Sequence, residues 1–412
     1  MKLCAAIIVF LIALVPAFGQ EKTPEKIATG ELPSLLSIYK DLHAHPELST
    51  REEKSSAVVA KELRAAGCEV TENFGKYDNP NLKCYGVIGV MKNGAGPTVL
   101  VRTDLDALPV EAFIGTARAL QQMKDEWSGT IIFVGQPAEE AVGGARALLK
   151  AGLYSRFAKP DFALGFHDKA DLQTGHIGVT PGYTYANVDS VDVTVRGIGG
   201  HGAYPHKTKD PIVLAAEMIN TWQTIASREN NPLDPIVVTV GSIHGGTKHN
   251  IIPDEVKMQL TVRTYKAEVR DRVLKAIDDI AKGIASAAGV PADRAPIVNV
   301  LKDQLTPATY NNPELTKRLV EVWKKNIGAE NVDIVDPTMG GEDFSEYSLP
   351  DHSIPAVDFH LGAVDPEKIA QFKKEGKELP SLHSSKFAPV PEPTIKIGII
   401  GMTSAVLELL KK

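Results

Sequence analysis

The chain of 412 residues carries 45 Lys and Arg against 51 Asp and Glu, a formal net charge of −6. The charges are interspersed and no basic run gathers, which excludes an electrostatic footprint for nucleic acid or an anionic membrane. Its 3 cysteines are too few for a disulfide framework. Cys68 and Cys84 lack metal-pair spacing, though the two could bridge in an oxidising compartment.

The N-terminal segment has a positive Lys2, an apolar run over residues 5–14 and a small-residue exit at Ala17-Phe18-Gly19 before Gln20. That order reads as a cleavable secretory signal over residues 1–19. The apolar run is short for a bilayer span, and no second one follows. A secreted or periplasmic protein, free of the membrane after signal removal, is expected. Roughly 390 residues are left to fold, enough for two domains.

Thr50 with Glu53 forms a capping-box signal, and Ala57, Leu63 and Ala66 ending at Gly67 predict a helix between them. His43 and His45 fall on a further predicted helix, in structural roles. Strands predicted at residues 84–91, 98–103, 130–134 and 162–166 alternate with helices at 113–123 and 145–149. The alternation argues for an α/β fold, a mainly parallel sheet with helices on its faces.

The pattern changes after Tyr183. Val191, Val193 and Val195 alternate with polar residues, as in a strand with one wet face. Asp210-Pro211 opens a helix through Trp222, with an aspartate cap and a first-turn proline. Strands at 236–240 and 256–262, a helix at 269–287 and a strand at 297–300 complete a β-α-β-β-α-β order, the ferredoxin-like α+β arrangement. The insert is placed at residues 185–297, inside a discontinuous larger domain of residues 20–184 and 298–412. There a helix at 315–323 and a strand at 356–359 resume the α/β pattern.

Ligands of an open parallel sheet bind beyond the carboxyl ends of its strands. Three predicted strands deliver metal-compatible groups there: Asp104-Leu105-Asp106, Glu139-Glu140 and His167-Asp168. One such acidic pair is commonly a solvated loop; recurrence at one edge points to a site. Carboxylate and imidazole donors together suit zinc, manganese or cobalt better than magnesium or calcium. Adjacent glutamates allow one to bind metal while its neighbour takes a proton from water.

At this point the sequence resembles the M20 metallopeptidases, in their amidohydrolase branch of aminoacylase-like and hippurate-hydrolase-like enzymes. The stretches that carry the resemblance begin with Asp41-Leu42-His43-Ala44-His45-Pro46-Glu47-Leu48, Asp104-Leu105-Asp106-Ala107-Leu108-Pro109-Val110-Glu111 and Gln136-Pro137-Ala138-Glu139-Glu140. Gly199-Gly200-His201-Gly202-Ala203-Tyr204-Pro205-His206, Asn250-Ile251-Ile252-Pro253-Asp254, Gly341-Glu342-Asp343-Phe344 and His383-Ser384-Ser385-Lys386-Phe387 follow in family order.

The resemblance implies that the larger domain is catalytic and that the insert mediates a homodimer. It implies a divalent metal, zinc first with manganese or cobalt as alternatives, and a small N-acyl amino acid or peptide-like substrate. Glu139 corresponds to the general base, and Glu140, His167 and His383 to metal ligands. Asp106 stands where relatives hold a carboxylate close to the metals. His201 corresponds to the insert histidine that steadies the tetrahedral intermediate, and Asn250 and Arg263 to substrate-carboxylate or oxyanion contacts. Asp343 is expected to hold its loop.

The sequence departs from the family at one junction. Relatives run from the stretch ending at Glu111 into a long loop containing Cys-Gly-His-Asp, which supplies a cysteine and a histidine to the metals. Here Ala112-Phe113-Ile114-Gly115 follows Glu111 at once and already reads as the next helix. Two expectations follow: a hydrolase impaired by loss of two ligands and left with three for one metal, or a catalytically inactive dimeric homologue that keeps the cleft for binding.

Overall fold

The computed structural model describes residues 22–107, 109–348 and 352–412. The expected secretion signal lies outside them. No helix of the described residues is long and apolar enough to cross a membrane.

The larger domain is built on an eight-stranded sheet in the order Glu69–Phe74, Gly86–Asn93, Gly129–Gln136, Thr98–Asp104, Phe162–Gln173, Ala356–Val364, Ile177–Val179 and Val332–Ile334. Its centre is parallel: Thr98–Asp104 runs with both neighbours, and Phe162–Gln173 runs with Ala356–Val364. Antiparallel pairings lie outside that centre, at Glu69–Phe74, Gly86–Asn93 and Ile177–Val179. Val-Leu-Val at positions 99–101 is buried throughout, as a strand covered on both faces requires.

Strand alternation assigns the faces. Val99, Val101, Leu164, Phe166 and Phe359 join the core under the helices Pro24–Ala44, Glu53–Ala65, Val110–Gln122, Pro313–Ile327 and Pro391–Leu409. Leu100, Ile132, Val134, Ala163 and Ala356 face the other way, against Leu148, Phe344 and Tyr347. The second face carries Arg102, Asp104, Gln136, His167 and Asp358 by the same alternation, so the polar centre lies opposite the large helical layer.

The insert is the expected β-α-β-β-α-β unit. Its antiparallel sheet runs Ile236–Gly245, Glu255–Thr264, Asn187–Arg196, Ile297–Val300, and the helices Pro211–Thr224 and Ala267–Ala287 cover one face. Val193, Met258, Met218, Trp222 and Ile277 meet in its core. Asp210 caps its first helix, accepting from Ile212 N at 2.9 Å. Because Ile297–Val300 pairs with Asn187–Arg196, the insert closes after Val300, not at 297 as expected from sequence.

One local expectation is overturned and one open question is answered. Thr50 adopts a left-handed φ of 67°, and the helix Glu53–Ala65 has no side-chain cap bond from its N-cap. Glu47 serves instead, accepting from Lys54 N at 2.9 Å and Ser55 N at 2.7 Å, where the helix dipole favours negative charge. Cys68 and Cys84 are both buried and free, so the possible bridge does not form.

Candidate active site

Arg102 organises the buried centre. It is fully buried on the strand Thr98–Asp104 and meets five polar partners, His167 among them. Its Nε donates to Gln136 Oε1 at 3.0 Å, and its Nη2 donates to Glu342 Oε1 at 2.8 Å and Asp343 Oδ1 at 3.3 Å. The same Nη2 pairs with Asp104 Oδ1 at 2.6 Å. A planar cation with several donors is the group that can hold three carboxylates out of water at once.

His167 sits beside it. Its Nε2 is 3.0 Å from Asp104 Oδ2, 2.9 Å from Glu342 Oε2 and 3.0 Å from Arg102 Nη1, and its Nδ1 is 3.2 Å from Asp358 Oδ2. A protonated Nε2 suits the two carboxylates and a bare one suits the guanidinium; one proton cannot serve both. Burial opposes the imidazolium, but Asp358 and Glu342 outweigh it and hold the ring well above its usual pKa. Burial likewise opposes ionisation of Glu342, yet Arg102 and His167 keep its carboxyl below the ordinary range.

The loop after Gly129–Gln136 carries Glu139 and Glu140 between two left-handed alanine and valine residues, Ala138 at φ 51° and Val142 at φ 53°. Backbone held in such wells needs support from outside the loop. Ala138 N donates to Glu52 Oε1 at 2.8 Å, and Glu139 N and Glu140 N each donate to Asp106 at 3.3 Å. Asp343 accepts from Gly143 N at 3.3 Å and Ala145 N at 3.1 Å, holding the other end. Burial, then Glu342 and Asp104, push the Glu139 carboxyl far up.

The sequence-derived residues fall into three places. Glu140 Oε2 and His383 Nδ1 face each other at 3.4 Å, both accessible to solvent. His167 is engaged in the buried network, so its ring nitrogens are shared with Asp104, Glu342 and Asp358 rather than with that pair. His201 and Asn250 meet in an exposed corner of the insert, where Gly202 N donates to Asn250 O at 2.8 Å and Ile251 pairs with His201. Among the described residues no hydrogen bond or ion pair joins that corner to Glu139, Glu140, His167 or His383. Arg263 does reach the larger domain, with Nη1 donating to Met339 O at 3.2 Å, three residues before Glu342.

Asp106 supports the Glu139–Glu140 loop: besides the two amides it accepts from Ser49 Oγ at 2.7 Å. The carboxylates around Arg102 are Asp104, Glu342 and Asp343; Asp104 is among the metal-compatible groups of the sequence, while Glu342 is not singled out as a ligand from it. All three lie in the quoted motifs, but which of Asp104 and Asp106 meets Arg102 is set by the chain's path beyond the strand, and Glu342 and Asp343 both turn inward.

The donors present fit a divalent cation by type and by charge. Ligand atoms of Asp104, His167 and Glu342 lie within 4.8 Å of one another, as do those of Glu139, Glu342 and Asp343, and Glu342 belongs to both groups. The acids outnumber Arg102 and His167, and Oδ1 of Asp358 is buried with no hydrogen-bond partner.

The profile of peptidase family M20/M25/M40 matches residues 110–383, beginning one residue before the Glu111–Ala112 junction. Thermostable carboxypeptidase 2 of Saccharolobus solfataricus is 32% identical, over 92% of this chain and 96% of its own. N-acetylcysteine deacetylase of Bacillus subtilis is 32% identical over 76% of this chain and 84% of its own. Among solved structures, the Bacillus subtilis YXEP protein, a dinuclear metal binding peptidase, superposes with a TM-score of 0.73 at 25% identity, covering 93% of this chain and 99% of its own.

Fold, site and relatives together define the class, a hydrolase acting on amide or peptide bonds. The chain belongs to peptidase family M20/M25/M40.

Proposed function

We propose that this protein hydrolyses the amide bond of N-acyl amino acids or similar small substrates with the help of a divalent metal. The observation that carries the reading is the position of Glu139: its carboxylate groups with Glu342, which is also a member of the Asp104–His167–Glu342 donor set. N-acetylcysteine deacetylase and hippurate hydrolase among the relatives favour N-acyl amino acids as the substrate class.

The residues that would hold a cation are Asp104, His167 and Glu342, whose ligand atoms lie together, while Glu140 and His383, the ligands the resemblance implies, face each other as a separate exposed pair. When bound, a divalent cation supplies Lewis-acid charge that polarises a carbonyl and acidifies water. With cationic charge beside it to offset the burial and neighbouring acids that raise its carboxyl, Glu139 would take the proton of the attacking water and return it to the leaving nitrogen. Asp106 fixes the backbone that aims Glu139. Arg263 and Asn250 bind the substrate carboxylate, and His201 steadies the oxyanion from the insert, in a homodimer. Zinc suits the oxygen and imidazole donors, with manganese and cobalt as alternatives. Without a Cys-Gly-His-Asp loop the donors support one metal rather than a bridged pair, with reduced turnover. The N-terminal segment directs the protein out of the cytoplasm.

Bound metal measured by elemental analysis, together with hydrolysis of a panel of N-acyl amino acids, tests the proposal. Turnover that is lost in Glu139→Gln is the expected result; purified protein with neither metal nor turnover overturns it. A second reading, a non-catalytic binding homologue, is favoured by Arg102, whose guanidinium already pairs with Asp104 and Glu342. It predicts binding of a substrate analogue with no hydrolysis.

A further inference from the structure

Glu111 is 1% exposed, and neither of its carboxylate oxygens has a hydrogen-bond partner. It stands in the first turn of the helix Val110–Gln122, at the junction where the family loop is missing. Burying a carboxylate without a donor or counter-ion is costly, so such a group calls for a partner or a proton. Glu111 lines a cavity of about 260 Å³ between the end of the helix Pro24–Ala44 and the turn after Asp104. Tyr39 and His43 form its other wall, their rings stacked with centroids 5.7 Å apart.

The other acids lining the cavity are already engaged, and Tyr39 and His43 supply further polar atoms of the lining. Glu47 caps Lys54 and Ser55, and Asp106 accepts from Ser49, Glu139 and Glu140. Asp168 lies on the same side of the sheet, since strand alternation turns it away from His167 toward the helices, and its Oδ1 is also buried without a partner. No Lys or Arg lines the cavity. The cavity lies on the helical side of the sheet, and Asp106 in its lining also accepts from the Glu139 and Glu140 amides.

We infer that this cavity binds a primary alkylammonium group, with Glu111 as its counter-charge and the Tyr39–His43 ring pair as its wall. A bare metal ion is the weaker match. Among the described residues, neither cluster with three ligand atoms close enough for a metal includes Glu111. An ammonium needs fewer fixed ligands, donates to both carboxylate oxygens and gains from an aromatic face. The inference stands without the proposed hydrolysis, because the cavity lies on the helical side of the sheet.

The test is titration of the full-length mature protein with propylammonium chloride at mildly alkaline pH and constant ionic strength, followed by calorimetry. Saturable binding is expected, with none for propanol. Glu111→Gln is expected to weaken it about tenfold or more, the loss of a hydrogen bond to a charged group. Tyr39→Ala is expected to weaken it about threefold through the lost aromatic face. Ala107→Leu, which narrows the cavity and leaves Glu111 in place, is expected to abolish binding, and decides the matter should Glu111→Gln fail to fold by circular dichroism. Absent saturation, equal binding of propanol, or unchanged affinity in folded Glu111→Gln or Ala107→Leu overturns the inference.

Discussion

Arg102 Nη2 donates to Glu342 Oε1 at 2.8 Å, joining residues 240 positions apart across the fully buried centre of the larger domain. One guanidinium thereby ties the strand Thr98–Asp104 to the segment that opens the short helix Asp343–Ser348. Removal of such a cation leaves Asp104, Glu342 and Asp343 buried with one positive group fewer. Arg102→Met is therefore expected to cost about 3–5 kcal/mol, the price of an unpaired buried charge. Urea denaturation followed by tryptophan fluorescence measures it, and an unchanged midpoint contradicts the organising role given to Arg102.

Asp106 touches the Glu139–Glu140 loop through that loop's backbone amides, so under the proposed hydrolysis its effect is one of position. Asp106→Ala is expected to leave the far-ultraviolet circular dichroism unchanged while lowering kcat by about a hundredfold, the scale of a small misplacement of a reacting group. Asp106→Asn, which keeps an acceptor toward Glu139 N and Glu140 N, is expected to recover much of that loss. Equal defects in the two variants contradict a positioning role.

Glu111 gives the fold a pH signature. Burial pushes its carboxyl up from 4.5 to about 7, with the charge of Asp168 adding to the shift. The folded state thus binds the proton more tightly than the unfolded chain. Its contribution to stability is complete below pH 4.5 and is lost as pH rises through about 7. Glu111→Gln, which cannot ionise, is expected to be more stable than the parent above that range, by up to about 3 kcal/mol. Thermal melts of both proteins across the range, with the two curves converging at the acidic end, verify the sign; parallel curves refute it.

Chelation provides a fourth check. Dialysis against a chelator is expected to lower the Tm and abolish hydrolysis, and zinc, manganese or cobalt is expected to restore both. A metal present at about a hundred times its Kd stabilises the folded state by about 2.7 kcal/mol. A Tm that ignores chelation, in protein that still turns over substrate, removes the metal from the proposed chemistry.

The sequence by itself determined the layout. Alternation at Val191, Val193 and Val195, the cap at Asp210, and the repeated run of strand then helix are local signals, because side-chain period and capping are set within a few residues. The motifs at strand ends likewise pointed to one end of the sheet, since ligands of an open parallel sheet bind beyond the carboxyl ends of its strands. Tertiary structure decided which acids meet. Asp104 and Asp106 are two apart, but the strand ends at Asp104, so the period of two no longer predicts where Asp106 points, and it turns to the Glu139–Glu140 amides. Glu342 reaches Arg102 and His167 only because the segment 339–348 packs over the sheet. The same holds at the junction. The sequence marked Glu111 as the residue before a missing loop, while its burial without a donor arises from the helices Pro24–Ala44 and Val110–Gln122 closing on each other, a contact between segments distant in the chain.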